Sequence, residues 1–151
     1  MDINKTLHNA EHTCSKAGGR LTDKRKKILT ALLTTQKAMS AYDIVNYVRD
    51  NHSEVMPPMS VYRILDFLEG ENLVHKLYSA NKYVACSHIS CSHAHEVPQF
   101  LICRECGSVK EIGISTTIID VLKSSVADAG YFLKSPQLEL DCLCQDCNIG
   151  G

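Results

Sequence analysis

Two CxxC pairs, Cys103-Arg104-Glu105-Cys106 and Cys144-Gln145-Asp146-Cys147, are the residues of this chain best spaced for chemistry. The turn inside each pair brings two sulfurs together, so each pair can place two thiolates on one metal ion. Four thiolates complete the tetrahedral shell of zinc with no open position, a structural rather than a catalytic arrangement. Gly107, directly after the first pair, gives that turn conformational freedom. The 37 residues between Cys106 and Cys144 mean that the metal must tie together distant parts of a domain. A redox dithiol is the competing reading, but two copies without a thioredoxin-like pattern argue against it.

A second cluster, Cys86, His88, Cys91, His93, His95 and Glu96, puts six ligand-capable side chains within eleven residues. One histidine taken alone is more often a surface residue than a ligand. Six such groups together are not explained by packing, although the cluster does not select its own members. His75 upstream and Glu111 downstream could complete a mixed sulfur, nitrogen and oxygen site spanning two domains, a donor set that borderline-soft zinc accepts. An enzymatic reading competes here. His52-Ser53-Glu54, Pro98 and Cys103-x-x-Cys106 superficially match the zinc deaminase signature. However, Pro98 does not adjoin Cys103, and the His-x-Glu falls in a different part of the chain. With no His-Glu-x-x-His, no Gly-x-Ser-x-Gly and no glycine-rich phosphate loop, an enzyme is disfavoured and no small-molecule substrate is expected.

The wider composition sets the context for these thiols. The chain has 151 residues, 44% hydrophobic and 22% charged, which describes a folded soluble protein. No apolar run nears the ~20 residues of a membrane helix, and Met1-Asp2-Ile3-Asn4-Lys5 lacks the apolar core of a signal peptide. The expectation is a cytoplasmic protein, without a membrane partner, whose eight cysteines stay reduced and bind metal. A net charge of -1 taken alone argues against a strongly basic nucleic-acid binder. That figure is an average. Residues 1–85 hold twelve Lys/Arg against nine Asp/Glu, whereas residues 86–151 hold four against eight. Seven of the eight cysteines lie at or beyond Cys86, on the acidic side of the same boundary.

The elements that must position these residues follow from periodicity and caps. Thr22 is a suitable N-cap for a helix beginning at Asp23, with Ile28, Leu29, Leu32 and Leu33 at helical spacing. Ser40 can cap a second helix, Ala41 to Asp50, with Ile44, Val45 and Val48 inward. Pro57-Pro58 marks a turn, and a third helix follows from Ser60, with Val61, Ile64, Leu65 and Leu68 on one stripe and Gly70 and Asn72 at its end. Leu73–Tyr78 and Lys82–Cys86 read as strands of a hairpin. Three helices and a hairpin are the winged helix-turn-helix arrangement. Beyond it, Gln99–Cys103 and Ser108–Ile112 read as a strand pair. Ser115 then caps a helix carrying Ile118, Ile119, Leu122 and Val126, Gly130 closes it, and Gln137–Cys142 alternates as a further strand. The expected fold class is α+β: a winged helix-turn-helix DNA-binding domain over 1–85, a hinge and metal-ligand segment over 86–98, and a small α/β domain with a four-cysteine zinc site over 99–151.

On the third helix Arg63 sits about 150° from the centre of the apolar stripe, at ~100° per residue. An arginine fork facing away from the core near a helix start suits the O6/N7 edge of guanine in a major groove. Ser60 and Tyr62 beside it could bond phosphate, and Lys24 to Lys27 could grip the DNA backbone without reading sequence.

Taken in order, Arg20-Leu-Thr-x-x-Arg25, Ser40-Ala-Tyr42-Asp43, Pro58-x-Ser60-Val-Tyr62-Arg63-Ile-Leu-Asp66-Phe, Leu73-Val-His75-Lys76 and the two CxxC pairs resemble the ferric uptake regulator family, and within it the zinc uptake regulators. The resemblance runs from Arg20 to Cys147. It implies a homodimer, with the C-terminal domain as the dimerisation domain, that represses transcription from palindromic operators in double-stranded DNA when loaded with metal. It also implies two Zn2+ sites per subunit. Cys103, Cys106, Cys144 and Cys147 would hold structural zinc, and His75, Cys86, His95 and Glu111 regulatory zinc, with His93, His88 and Cys91 as alternative ligands. Tyr42 and Arg63 match family positions that contact operator bases, and Arg20, Lys24, Ser60 and Tyr62 complete the expected DNA-binding set. Asp23 stands where relatives commonly carry proline, and His93-Ala-His95-Glu96 departs in spacing by one inserted residue before Cys103. Cys86 in the sensing site tips the reading toward zinc. The alternatives are an iron or peroxide sensor of the same family, and a zinc-binding interaction or storage module that does not touch DNA.

Overall fold

A computed structural model describes residues 2–89 and 97–149 and divides the chain into two units, Met1–Ser92 and His93–Gly151. The first unit runs α1 (Ile3–Lys16), α2 (Asp23–Thr35), α3 (Ala41–His52), α4 (Pro58–Gly70), β1 (Val74–Leu77) and β2 (Lys82–Ala85). Local chemistry starts most of these helices. Thr22 Oγ1 accepts the Arg25 N–H at 3.4 Å. Ser40 and Asp43 form a reciprocal capping box, at 3.1 Å and 2.9 Å, which satisfies two otherwise orphaned donors of α3. Ile28, Leu29, Leu32, Ile44, Val48, Val61, Leu65 and Leu68 meet in one buried core, with Val45 and Ile64 packed at its rim.

Helix α4 corrects one expectation. It begins at Pro58 with Pro57 as the N-cap and no side-chain cap bond, so Ser60 lies inside the first turn and is not the capping residue. Proline suits this position because its missing N–H belongs to the unpaired set at any helix start, and its fixed φ is already helical. Helix α1 has no counterpart in the sequence reading. Asp2 caps it by accepting from Asn4 and Lys5, and it buries Thr6, Ala10 and Cys14, with Ile3 and Leu7 packed against the same core on one helical stripe. An ion pair from Lys26 to Glu11 links α2 to α1.

β1 and β2 pair antiparallel with His75 opposite Val84, and Asn81 (φ 49°) takes the left-handed conformation in the turn between them. The hairpin gains a third member that periodicity does not reveal. Met39, just before the α3 cap, bridges Tyr83 through N–H to carbonyl bonds of 2.9 Å and 2.8 Å.

The second unit contains β3 (Pro98–Cys103), β4 (Val109–Gly113), α5 (Thr116–Asp128) and β5 (Glu139–Cys142). Its sheet order is β4-β3-β5, with β3 antiparallel to β4 and parallel to β5. The parallel register sets Cys103 opposite Cys142, which carries the end of the first CxxC pair toward the start of the second. Gln99, buried on β3, donates its amide to the Pro136 carbonyl at 2.9 Å and so anchors the approach to β5. Of the apolar residues on α5, Ile119 is buried and Leu122 and Val126 are half-buried, whereas Ile118 and Val121 are exposed. Ser115 occupies the N-cap position without a side-chain bond, and Gly130 (φ +85°) takes the left-handed conformation just past the helix end.

Candidate metal centres and reading helix

The four CxxC cysteines converge. Cys103 ends β3, Cys106 follows in the turn that Gly107 (φ +72°) completes, and Cys144 and Cys147 occupy the turn after β5. Their sulfurs all lie within 4.8 Å of one another. Cys106 Sγ and Cys144 Sγ are 3.7 Å apart. With zinc–sulfur bonds of ~2.3 Å a tetrahedral site needs sulfurs about 3.8 Å apart, so both the donor set and its spacing fit zinc. Hydrogen bonds favour the thiolate form at two of the four, Cys103 and Cys106. The N–H groups of Cys106 and Cys144 bring the Cys103 thiol down to about 6, and hydrogen bonds to the Ser108 hydroxyl and N–H lower Cys106. Cys147 is pushed up to about 12 by its hydrogen bonds with the Cys144 and Cys106 sulfurs. Beside the centre, Arg104 clasps Asp141 with both ends of its guanidinium, the Nε–Oδ1 distance being 3.1 Å. This pairing joins the first CxxC turn to β5, and sequence reading had no register from which to foresee it.

In the first unit, His75 on β1 and Cys86 just beyond β2 bring a ring nitrogen and a thiol within 4.8 Å of each other. Cys86 is held there by its N–H bond to the Leu73 carbonyl at 2.9 Å, and it is 3% exposed. His88 lies half-buried with Nδ1 3.3 Å from the Ser87 hydroxyl, and is not grouped with His75 and Cys86 among the described residues. Cys91, His93 and His95 lie outside the described residues. Glu111, half-buried on β4 opposite Phe100, belongs to the second unit.

Arg63 is exposed on α4 and Tyr42 is 61% exposed in the first turn of α3. Ser60 is half-buried in the first turn of α4, and Tyr62 is half-buried against the core. Of the basic run, Lys24 is exposed. The other three residues of that run are occupied within the unit: Arg25 stacks 3.6 Å from the Phe67 ring centroid, Lys26 pairs with Glu11, and Lys27 pairs with Glu54 at 2.9 Å. Of the run expected to grip the DNA backbone, Arg25, Lys26 and Lys27 are therefore engaged within the unit, and Lys24 stands exposed. Arg20 is exposed, and its carbonyl accepts from Arg25 at 2.6 Å. The sequence reading passed over Val55 and Met59, both exposed beside the start of α4. Their signal was an apolar residue on either side of Pro57-Pro58 that no helical stripe required.

A winged-helix unit with an outward arginine on its last helix, followed by a sheet unit closed by four convergent thiols, defines a metal-binding winged-helix protein. The chain belongs to the ferric uptake regulator family, whose sequence model matches residues 16–141. It is 36% identical over 141 residues to the zinc uptake regulation protein of Escherichia coli (strain K12), covering 93% of this chain and 80% of that protein. It is also similar to a zinc uptake regulator solved in complex with zinc and DNA, with a TM-score of 0.81, 31% identity, and 97% and 95% of the two chains covered. Holo XcZur gives a TM-score of 0.73 at 34% identity, over 91% of this chain and 92% of that one.

Proposed function

We propose that this chain is a zinc-responsive transcriptional repressor that binds palindromic operator DNA as a homodimer and controls zinc uptake genes from the cytoplasm. The observation that carries the reading is the pairing of His75 with Cys86 at the wing of a helix-turn-helix unit, where a metal ligand pair adjoins the elements that read DNA. A buried thiol in that pair favours zinc over the harder donor sets of iron sites. The resemblance to zinc uptake regulators over nearly the whole chain supports the same conclusion.

Each subunit takes two ions on this reading. Cys103, Cys106, Cys144 and Cys147 hold the structural one. His75, Cys86, Glu111 and His95, with His93 as its rival, form the regulatory set. Zinc held there would supply positive charge to an imidazole, a thiolate and a carboxylate. Arg63 presents its donor fork to a guanine edge, Tyr42 faces the neighbouring bases, and Lys24 and Arg20 meet phosphate. The unpartnered apolar residues Ile118, Val121, Tyr131 and Phe132 of the second unit supply the dimer contact. Two copies then set their α4 helices one turn of DNA apart, matching a palindrome. Because the coupling is an equilibrium, operator DNA must raise zinc affinity by the factor with which zinc raises DNA affinity.

The test is His75→Ala. The variant is expected to keep its fold and one zinc per chain in the tetrathiolate site, and to lose the zinc-dependent shift of an operator duplex. A zinc response like that of the wild type would overturn the assignment of the regulatory site.

A further inference from the structure

We infer that Met59 is a specificity-determining residue for the operator, its side chain reading the methyl group of a thymine one or two base pairs from the guanine edge met by Arg63. The inference rests on the DNA-reading role proposed for α4. Among the described residues of the first unit, the exposed large hydrophobic side chains are Tyr42, Val55, Met59 and Tyr78. Tyr78 is on the hairpin. The other three stand at the start of α3, in the connection to α4, and in the first turn of α4. Val55 and Met59 flank the two prolines at the entry to α4, whereas Tyr42 stands at the opposite end of α3.

Met59 is 64% exposed and follows Pro58 at the second position of α4, where the two prolines fix the backbone from which its side chain leaves. It precedes Arg63 by four residues, so the two lie ~40° apart around the helix and ~6 Å apart along it. They share a face turned away from the buried Val61, Leu65 and Leu68. Base pairs stack ~3.4 Å apart, which sets the two side chains on edges one or two pairs from each other. The apolar feature that a major groove offers is the C5-methyl of thymine. Methionine is unbranched and polarizable, and can settle on such a small target without a fixed rotamer. Ser60, its half-buried neighbour, has neither the reach nor the apolar surface to do so.

Duplexes enriched from a random-sequence library by the zinc-loaded protein supply the probe. Each thymine of the enriched half-site is replaced in turn by deoxyuridine, which removes only the methyl group. In the wild type one such replacement, near the guanine whose preference disappears in Arg63→Ala, should weaken binding about three- to fivefold. In Met59→Ala the same replacement should leave affinity unchanged, while zinc-dependent binding to the rest of the site persists. An equal loss in Met59→Ala, or no uridine-sensitive position in the wild type, would overturn the inference. A wild type that enriches no duplex with zinc would instead overturn the DNA-binding reading beneath it, so the two failures are distinguishable.

Discussion

Arg63 and the tetrathiolate cysteines represent two kinds of residue-level commitment. Arg63 has an exposed side chain on a helix whose opposite face is buried, so removing it costs the fold little and recognition much. Arg63→Ala should weaken binding to the preferred operator by about 1–3 kcal/mol and flatten discrimination at one base pair, as read by titration against single-base variants. A uniform loss across all duplexes would instead mark Arg63 as a phosphate contact. The cysteines are the reverse case, since on the proposed reading their sulfurs hold a structural ion and carry no sequence information about DNA. Their role was legible in the chain because CxxC spacing is a local geometric fact, and the outward position of Arg63 was legible because 3.6-residue periodicity is local too. The partners of Arg25, Lys26 and Lys27 were not. Phe67, Glu11 and Glu54 are remote in sequence, and a run of basic residues looks the same whether it faces water or its own neighbours.

At the scale of elements, caps decide where the reading helices begin. The capping box of Ser40 and Asp43 fixes the entry into α3 and with it the first turn that carries Tyr42. Ser40→Ala should destabilise the protein by about 0.5–2 kcal/mol in denaturant unfolding while leaving the zinc content unchanged. No change in the unfolding midpoint would mean that the box is redundant with packing. Helix α4 has no such side-chain cap; Pro58 removes one of the donors a cap would satisfy, and the Ser60 and Val61 N–H groups bond the Pro57 carbonyl at 3.0 Å and 3.2 Å. Most helices and strands were readable from apolar spacing and turn residues. Helix α1 was legible by the same rule, since Ile3, Leu7, Ala10 and Cys14 recur at helical spacing behind the Asp2 cap, whereas its packing against α2 comes from tertiary contacts that a propensity scale does not contain. The parallel pairing of β5 with β3 escaped because strand order is a long-range choice, fixed here in part by Gln99 reaching Pro136.

For the molecule as a whole, the uneven charge and the uncovered apolar helix belong together. The acidic second unit is where Val121 and Phe132 stand exposed, and apolar surface of that kind on a soluble chain is normally covered by a partner. Val121→Glu should convert the dimer to a monomer in sedimentation velocity, with the tetrathiolate zinc retained and operator binding lost with the second half-site. A dimer of unchanged mass would place the interface elsewhere. The net charge of -1 then has a use in a repressor, because weak general attraction to DNA leaves affinity to be set by correctly paired reading helices. The bridge between Met39 and Tyr83 bears on how such a molecule transmits a signal. Cys86 lies three residues beyond Tyr83, and Tyr42 lies three residues beyond Met39. Six peptide links and one pair of backbone hydrogen bonds therefore separate the Cys86 thiol from the Tyr42 ring. On the roles proposed for these two residues, zinc taken by the sulfur would act on the tyrosine through a path of one backbone bridge.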